Sequence, residues 1–121
     1  MTVELIEALD VMVPMRDGVR LRADVFRPVV DGPLPVLLMR YPYSPRDGFM
    51  SMFGRMAAQQ GYAVVVQSCR GRYGSEGVFY PFVPDVADSY DTVEWAAAQP
   101  WSNGKVGMYG VSYSGMSQWT A

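Results

Sequence analysis

Val106-Gly107-Met108-Tyr109-Gly110-Val111-Ser112-Tyr113-Ser114-Gly115 decides how the 121 residues fold. A short apolar run passes without a break into a turn rich in glycine and serine, and Met116 to Ala121 can open a helix. A strand buried on both faces reads as such a run, without alternation. Two similar runs lie upstream, Val36-Leu37-Leu38-Met39 and Ala63-Val64-Val65-Val66. Between them Phe49, Met52, Phe53, Met56 and Ala57 follow helical spacing, and Gly61 stands where a helix C-terminus favours positive φ. Between the second and third runs Val86, Tyr90, Val93 and Ala97 repeat the spacing, ending before Pro100. Strand, helix, strand, helix, strand is the order of a parallel sheet with crossover helices.

The residues before Val36 have a different texture. Val19, Leu21, Ala23 and Val25 alternate with Arg20, Arg22 and Asp24, and Asp17-Gly18 precedes them. Period-two alternation beside an Asp-Gly pair predicts an antiparallel hairpin with one solvated face. Pro28 to Pro35, with Asp31-Gly32 inside it, reads as a turn. The fold class expected is α/β, a mixed and mostly parallel sheet with an N-terminal antiparallel hairpin and flanking helices, in one domain over residues 1–121. Cys69 to Pro84 is long for a strand-to-helix connection, which points to a loop that carries function or covers something.

Composition narrows the chemistry. Half of the residues are apolar and 18% are charged, a globular balance. A net charge of −2 gives no electrostatic case for nucleic acid. The single Cys69 cannot form an internal disulfide or a thiolate metal site alone. No run reaches the length of a membrane span, and Met1 to Leu5 lacks a secretory pattern, so a soluble cytoplasmic chain is expected. Most informative of all, the chain contains no histidine, the usual base for activating a serine at neutral pH.

The turn at Ser112 has the layout of a nucleophile elbow, with Gly110 and Gly115 as the small residues that let strand and helix come close. Ser114 occupies the second glycine of the common G-x-S-x-G pattern. Serines in such turns also serve simply as helix caps. On the hexapeptide alone both readings stand.

Motifs in order along the chain favour the first. Arg40-Tyr41-Pro42-Tyr43 follows the first parallel strand, then come Arg70-Gly71-Arg72-Tyr73-Gly74-Ser75-Glu76-Gly77, Asp91-Thr92-Val93-Glu94-Trp95 and Gln99-Pro100-Trp101-Ser102-Asn103-Gly104-Lys105-Val106-Gly107, and last Gly110 to Gly115. With these the chain resembles the family of bacterial cocaine esterase, the α-amino-acid ester hydrolases and the X-prolyl dipeptidyl aminopeptidases. That family's elbow is G-x-S-Y-x-G, matched here at every fixed position, and Val11 to Arg27 fits its N-terminal strands.

The resemblance implies an α/β-hydrolase fold that breaks off after the elbow, and acyl hydrolysis of small esters or peptides through an acyl-serine. It makes Ser112 the nucleophile, the backbone N–H of Tyr113 one oxyanion donor and the Tyr43 hydroxyl the other. The bland reading of Tyr43 is a packing or rim aromatic. No cofactor or metal is implied. Relatives continue with a helical cap and a β-rich domain, and the acid and histidine come after the serine. The 121 residues alone are therefore expected to be inactive. They are also expected to self-associate through an exposed sheet edge. The alternative is a non-catalytic remnant that binds a partner through that edge.

Other residues carry less. Asp85, Asp88 and Asp91 imitate a metal cluster but suit the first turns of a helix. Gly71, Gly74 and Gly77 lack the Lys-Ser/Thr pair of a phosphate loop. Arg70 and Glu76 are expected to brace their loop internally, Cys69 to be a half-buried thiol and the nine methionines to fill the core. A doubly wound nucleotide binder would need a glycine fingerprint after its first parallel strand, and none is present.

Overall fold

A computed structural model describes residues 4–41, 48–69, 75–76 and 85–108. Its elements are β1 (Leu5–Pro14), β2 (Arg20–Pro28), β3 (Leu34–Tyr41), α1 (Gly48–Gln59), β4 (Ala63–Ser68), α2 (Asp85–Ala97) and β5 (Ser102–Met108). They form one five-stranded sheet in the order β1-β2-β4-β3-β5. β3 runs parallel to both β4 and β5, β2 antiparallel to β4, and β1 antiparallel to β2. The mixed sheet with an N-terminal hairpin is thus present. Among the described residues no helix is long and apolar enough to cross a membrane.

The hairpin turns at Gly18 (φ 87°), where the Gly18 amide donates to the Met15 carbonyl and the Val19 amide to Asp17 Oδ1. β2, however, has no solvated face. Arg22 is 7% exposed and Asp24 1%. β2 lies second in the sheet, and its polar residues bury themselves by pairing. Arg22 Nη2 donates to Asp24 Oδ1 at 3.2 Å, and Arg22 Nε to the Asp10 carboxylate. Asp10, at positive φ (57°), sits where the β1–β2 register shifts, and its amide donates to Asp24 Oδ1 at 3.0 Å. The irregularity turns an N–H inward to meet the buried carboxylate.

β4 is buried along its whole length, as expected of its apolar run Ala63 to Val66, and the polar Gln67 and Ser68 at its end are buried with it. Its alternate residues divide the core in two. Ala63 and Val65 join Leu21, Ala23, Val25, Val36, Leu38 and Ala96 on the α2 side, while Val64 and Val66 join Phe26 and Ala58 on the α1 side. The helices therefore cover opposite faces. Among the described residues β5 ends the strand order, with Val106 and Met108 half-buried and Gly107 exposed where the apolar run suggests a strand buried on both faces.

Of the residues picked out by spacing, Ala57 and Val93 pack against the core, but in both helices the fully buried positions are others. In α1 the inward residues are Gly54 and Ala58, one turn apart, while Met52, Phe53 and Met56 are 52%, 41% and 60% exposed. Small residues let the helix axis approach until the Phe26 ring fills the space. A Cβ on Gly54 would lie 3.0 Å from Phe26 Cδ2 and 3.2 Å from Cε2. The ring is buried, with the Arg55 guanidinium 5.5 Å from its centroid. Alanine is worth about 1 kcal/mol over glycine in a helix interior, but overpacking a core costs roughly 1–3 kcal/mol. Gly54→Ala is therefore expected to destabilise the fold by about 1 kcal/mol; a raised denaturation midpoint would contradict the packing described. α1 ends as expected, with Gly61 at φ 99° and its amide donating to the Ala58 carbonyl.

In α2 the buried residues are Asp88, Ser89, Thr92 and Ala96, whereas Tyr90 is half exposed beneath the Arg16 guanidinium. Asp91 takes Arg16 Nη2 at 2.7 Å and the Arg16 amide at 3.0 Å, fastening α2 to the hairpin turn. Of the nine methionines, Met15 and Met39 are core and Met52 and Met56 are surface; Cys69 is fully buried, not half-buried.

Candidate active site

Because β3, β4 and β5 are parallel, their carboxyl ends open on one end of the sheet. From β3 the chain crosses by α1 to β4 on one side, then by α2 past β3 to β5 on the other. β3 is thus the point where the winding reverses. In open α/β sheets the crevice at the carboxyl ends beside such a point is where ligands bind. Tyr43 follows the last residue of β3 by two positions, and Ser112 follows the last residue of β5 by four. Ser112, Tyr43 and Tyr113 themselves lie outside the described residues, as do Arg70, Gly71, Gly74 and Gly77.

The described residues at this end form two polar clusters. The first is centred on Arg40, next to last in β3 and fully buried. Its alternation places it with Val36 and Leu38 on the α2 side. Arg40 Nε donates to Gln67 Oε1 at 2.8 Å, and Arg40 Nη1 to Ser89 Oγ at 2.8 Å. Thr92 Oγ1 lies 3.0 Å from the same Gln67 Oε1 and 2.8 Å from the Asp88 carbonyl, one helical turn back. Gln67 Nε2 is buried with no acceptor among the described residues. Arg40 and Gln67 are also paired in the β3–β4 ladder, so one guanidinium ties two strand ends to the first turns of α2. Asp85, Asp88 and Asp91 lie in those turns, as the helix reading of this segment has it.

The second cluster fastens the long connection after β4. The Ser75 hydroxyl donates to the Ser68 carbonyl at 2.8 Å and accepts the Arg22 amide at 2.8 Å. The Glu76 amide donates to the Arg20 carbonyl, and its carboxylate accepts the Arg20 amide at 2.9 Å and Arg20 Nη2 at 2.8 Å. Those bonds from Arg20, side chain first and amide second, hold the Glu76 carboxyl below the usual range. Glu76 thus braces the loop against β2 and not internally. β2 is antiparallel to β4, so its first residues sit just where β4 ends and offer backbone groups there.

Arg40 and Thr92 appear in the sequence only as members of motifs, and nothing there singles out Gln67 or Ser89. The available signal was an arginine closing an otherwise apolar strand, matched by Gln67 at the same height in the next one.

Three kinds of comparison bear on this arrangement. The family model described as X-Pro dipeptidyl-peptidase (S15 family) matches residues 17–121. Cocaine esterase of Rhodococcus sp. (strain MB1 Bresler) is 52% identical over 94% of the chain, which spans 21% of that protein. Among solved structures, a CocE/NonD family hydrolase from Staphylococcus aureus superposes with a TM-score of 0.88 at 33% identity, covering 97% of this chain and 25% of its own. An α-amino acid ester hydrolase gives 0.81 at 33% identity, covering 95% of this chain and 22% of its own. The chain therefore spans about a fifth to a quarter of the length of these three relatives.

Proposed function

Because the chain belongs to the X-Pro dipeptidyl-peptidase (S15) family, whose members are serine hydrolases, we propose that it supplies the nucleophile and the oxyanion hole of an acyl hydrolase acting on small esters or peptides. Ser112 attacks the acyl carbon. The Tyr113 N–H and the Tyr43 hydroxyl donate to the oxygen that gains charge, and the leaving group departs to give an acyl-serine that water then hydrolyses. The observation that carries this reading is topological. β3 and β5 are adjacent and parallel, so the segments that contain Tyr43 and Ser112 leave neighbouring strands at the same end of the sheet.

A tyrosine hydroxyl suits the second donor position because it is a good donor on a stiff side chain. The loop after this strand is also where the fold recruits that donor. The base is not among these 121 residues, which contain no histidine; residues 1–121 make up the N-terminal part of the catalytic domain and are inert by themselves. Among the described residues β5 ends the strand order, and this supports a second reading, a non-catalytic module that pairs with a partner strand there.

One experiment separates the two. A polypeptide that continues these residues through an acid and a histidine is expected to release p-nitrophenol from an activated ester in a burst stoichiometric with enzyme. Tyr43→Phe is expected to slow that acylation by about 10²–10³-fold with the melting temperature unchanged. Absence of hydrolysis supports the non-catalytic module, and full activity in Tyr43→Phe removes the phenol from the oxyanion hole.

A further inference from the structure

The chemistry proposed above does not use Arg40, although Arg40 is the largest fully buried side chain among those described. Burying a guanidinium is expensive, and well-packed apolar residues in place of a buried charged cluster are often neutral or stabilising. An arrangement of this kind makes poor sense as a stability device. It makes good sense as a means of fixing geometry.

The geometry it fixes is that of the reversal point. Arg40 Nε meets β4 at Gln67, and Arg40 Nη1 meets α2 at Ser89. β3 leads to Tyr43, and α2 leads through β5 to Ser112. The guanidinium is a rigid planar fork whose donors point in set directions, so these bonds help to set how the end of β3 sits against both neighbours. Tyr43 is three residues beyond Arg40, at most about 10 Å of chain. Over so short a span a tilt of the strand end passes on to the tyrosine. Catalytic groups must be held within about 0.5 Å, and a 1 Å misplacement can cost about 10²-fold.

We propose that Arg40 is a positioning residue, bridging Gln67 and Ser89 so that the end of β3 delivers the Tyr43 hydroxyl to the oxyanion in register with Ser112. This rests on the function proposed above. Lysine would not substitute, since its ammonium is a point charge on a flexible stem and cannot hold both acceptors in one plane.

The test is a cycle of variants in a polypeptide continued through the acid and histidine, with p-nitrophenyl ester hydrolysis and thermal melting as readouts. Arg40→Met and Arg40→Lys are expected to melt cooperatively and to lose about 10–100-fold in kcat/KM, mostly in kcat. In a Tyr43→Phe background, where there is no hydroxyl left to misplace, the same changes are expected to cost less than about threefold. Ser89→Ala, which removes the bond to α2, is expected to show a smaller loss with the same dependence on Tyr43, and it decides the matter should neither Arg40 variant fold. Unchanged activity, or a loss of the same size in both backgrounds, would overturn the proposal. Tyr43→Phe alone leaving activity intact would instead overturn the oxyanion reading on which it rests.

Discussion

Ser112→Ala is expected to lower kcat/KM about a millionfold in a polypeptide that continues the chain through the acid and histidine, leaving the melting temperature within a degree or two. The size follows from the role. The hydroxyl oxygen forms the bond to the acyl carbon, so its removal leaves only oxyanion stabilisation and substrate binding, worth about 10³–10⁴-fold over water. A residue that merely capped the following helix would behave otherwise. Its loss would cost about 1 kcal/mol of stability and little activity. Activity and melting measured on one variant thus separate the two readings that the hexapeptide leaves open.

The largest effect on stability is expected from Asp24→Ala. Asp24 is 1% exposed and accepts from Arg22 Nη2 and from the Asp10 amide. Without its carboxylate, the buried Arg22 loses a partner and the Asp10 N–H points at nothing. Breaking one side of a buried pair costs about 3–5 kcal/mol, a large fraction of the roughly 5–15 kcal/mol that holds a domain together. The low end, about 3 kcal/mol, is expected here because the Asp10 carboxylate still meets Arg22 Nε. Replacing both members, as Arg22→Met with Asp24→Leu, is expected to recover most of the loss, since no charge is then left buried. Denaturant melts of the single and double variants check this. A single variant that melts like the parent would mean that the pair contributes nothing.

Parts of the fold whose physics is local were legible in the sequence. β4 has neighbours on both faces, and its first four residues, Ala63 to Val66, read as an unbroken apolar run. Asp17-Gly18 and Gly61 mark positions where the backbone adopts positive φ or is bonded by a short side chain. The order of elements then led to the parallel sheet by the ordinary rules of crossover connection.

What was not legible depended on partners distant in the chain. The alternation in β2 suggested water on one face, but Asp10 and Ser75 meet that strand from 12 and 53 residues away. In α1 the eye follows Met52, Phe53 and Met56, while the packing is decided by Gly54 and Ala58 because Phe26, on another strand, needs the room. α2 buries Ser89 and Thr92 where periodicity pointed to Tyr90, since polar residues there can meet Arg40 and Gln67. As for the site, the roles of Ser112, Tyr43 and Tyr113 come from motif and family resemblance. The described structure adds that β3 and β5, the strands those segments follow, are adjacent and parallel. No local pattern could announce the Arg40 cluster, which exists only once two strands and a helix have met.

The most direct test is to find where an electrophile lands. The polypeptide continued through the acid and histidine is treated with a fluorophosphonate, digested and mapped by mass spectrometry. A single phosphonyl group on the hydroxyl of Ser112 is expected. A group on any other residue, or none while esters are still hydrolysed, would contradict the role given to Ser112.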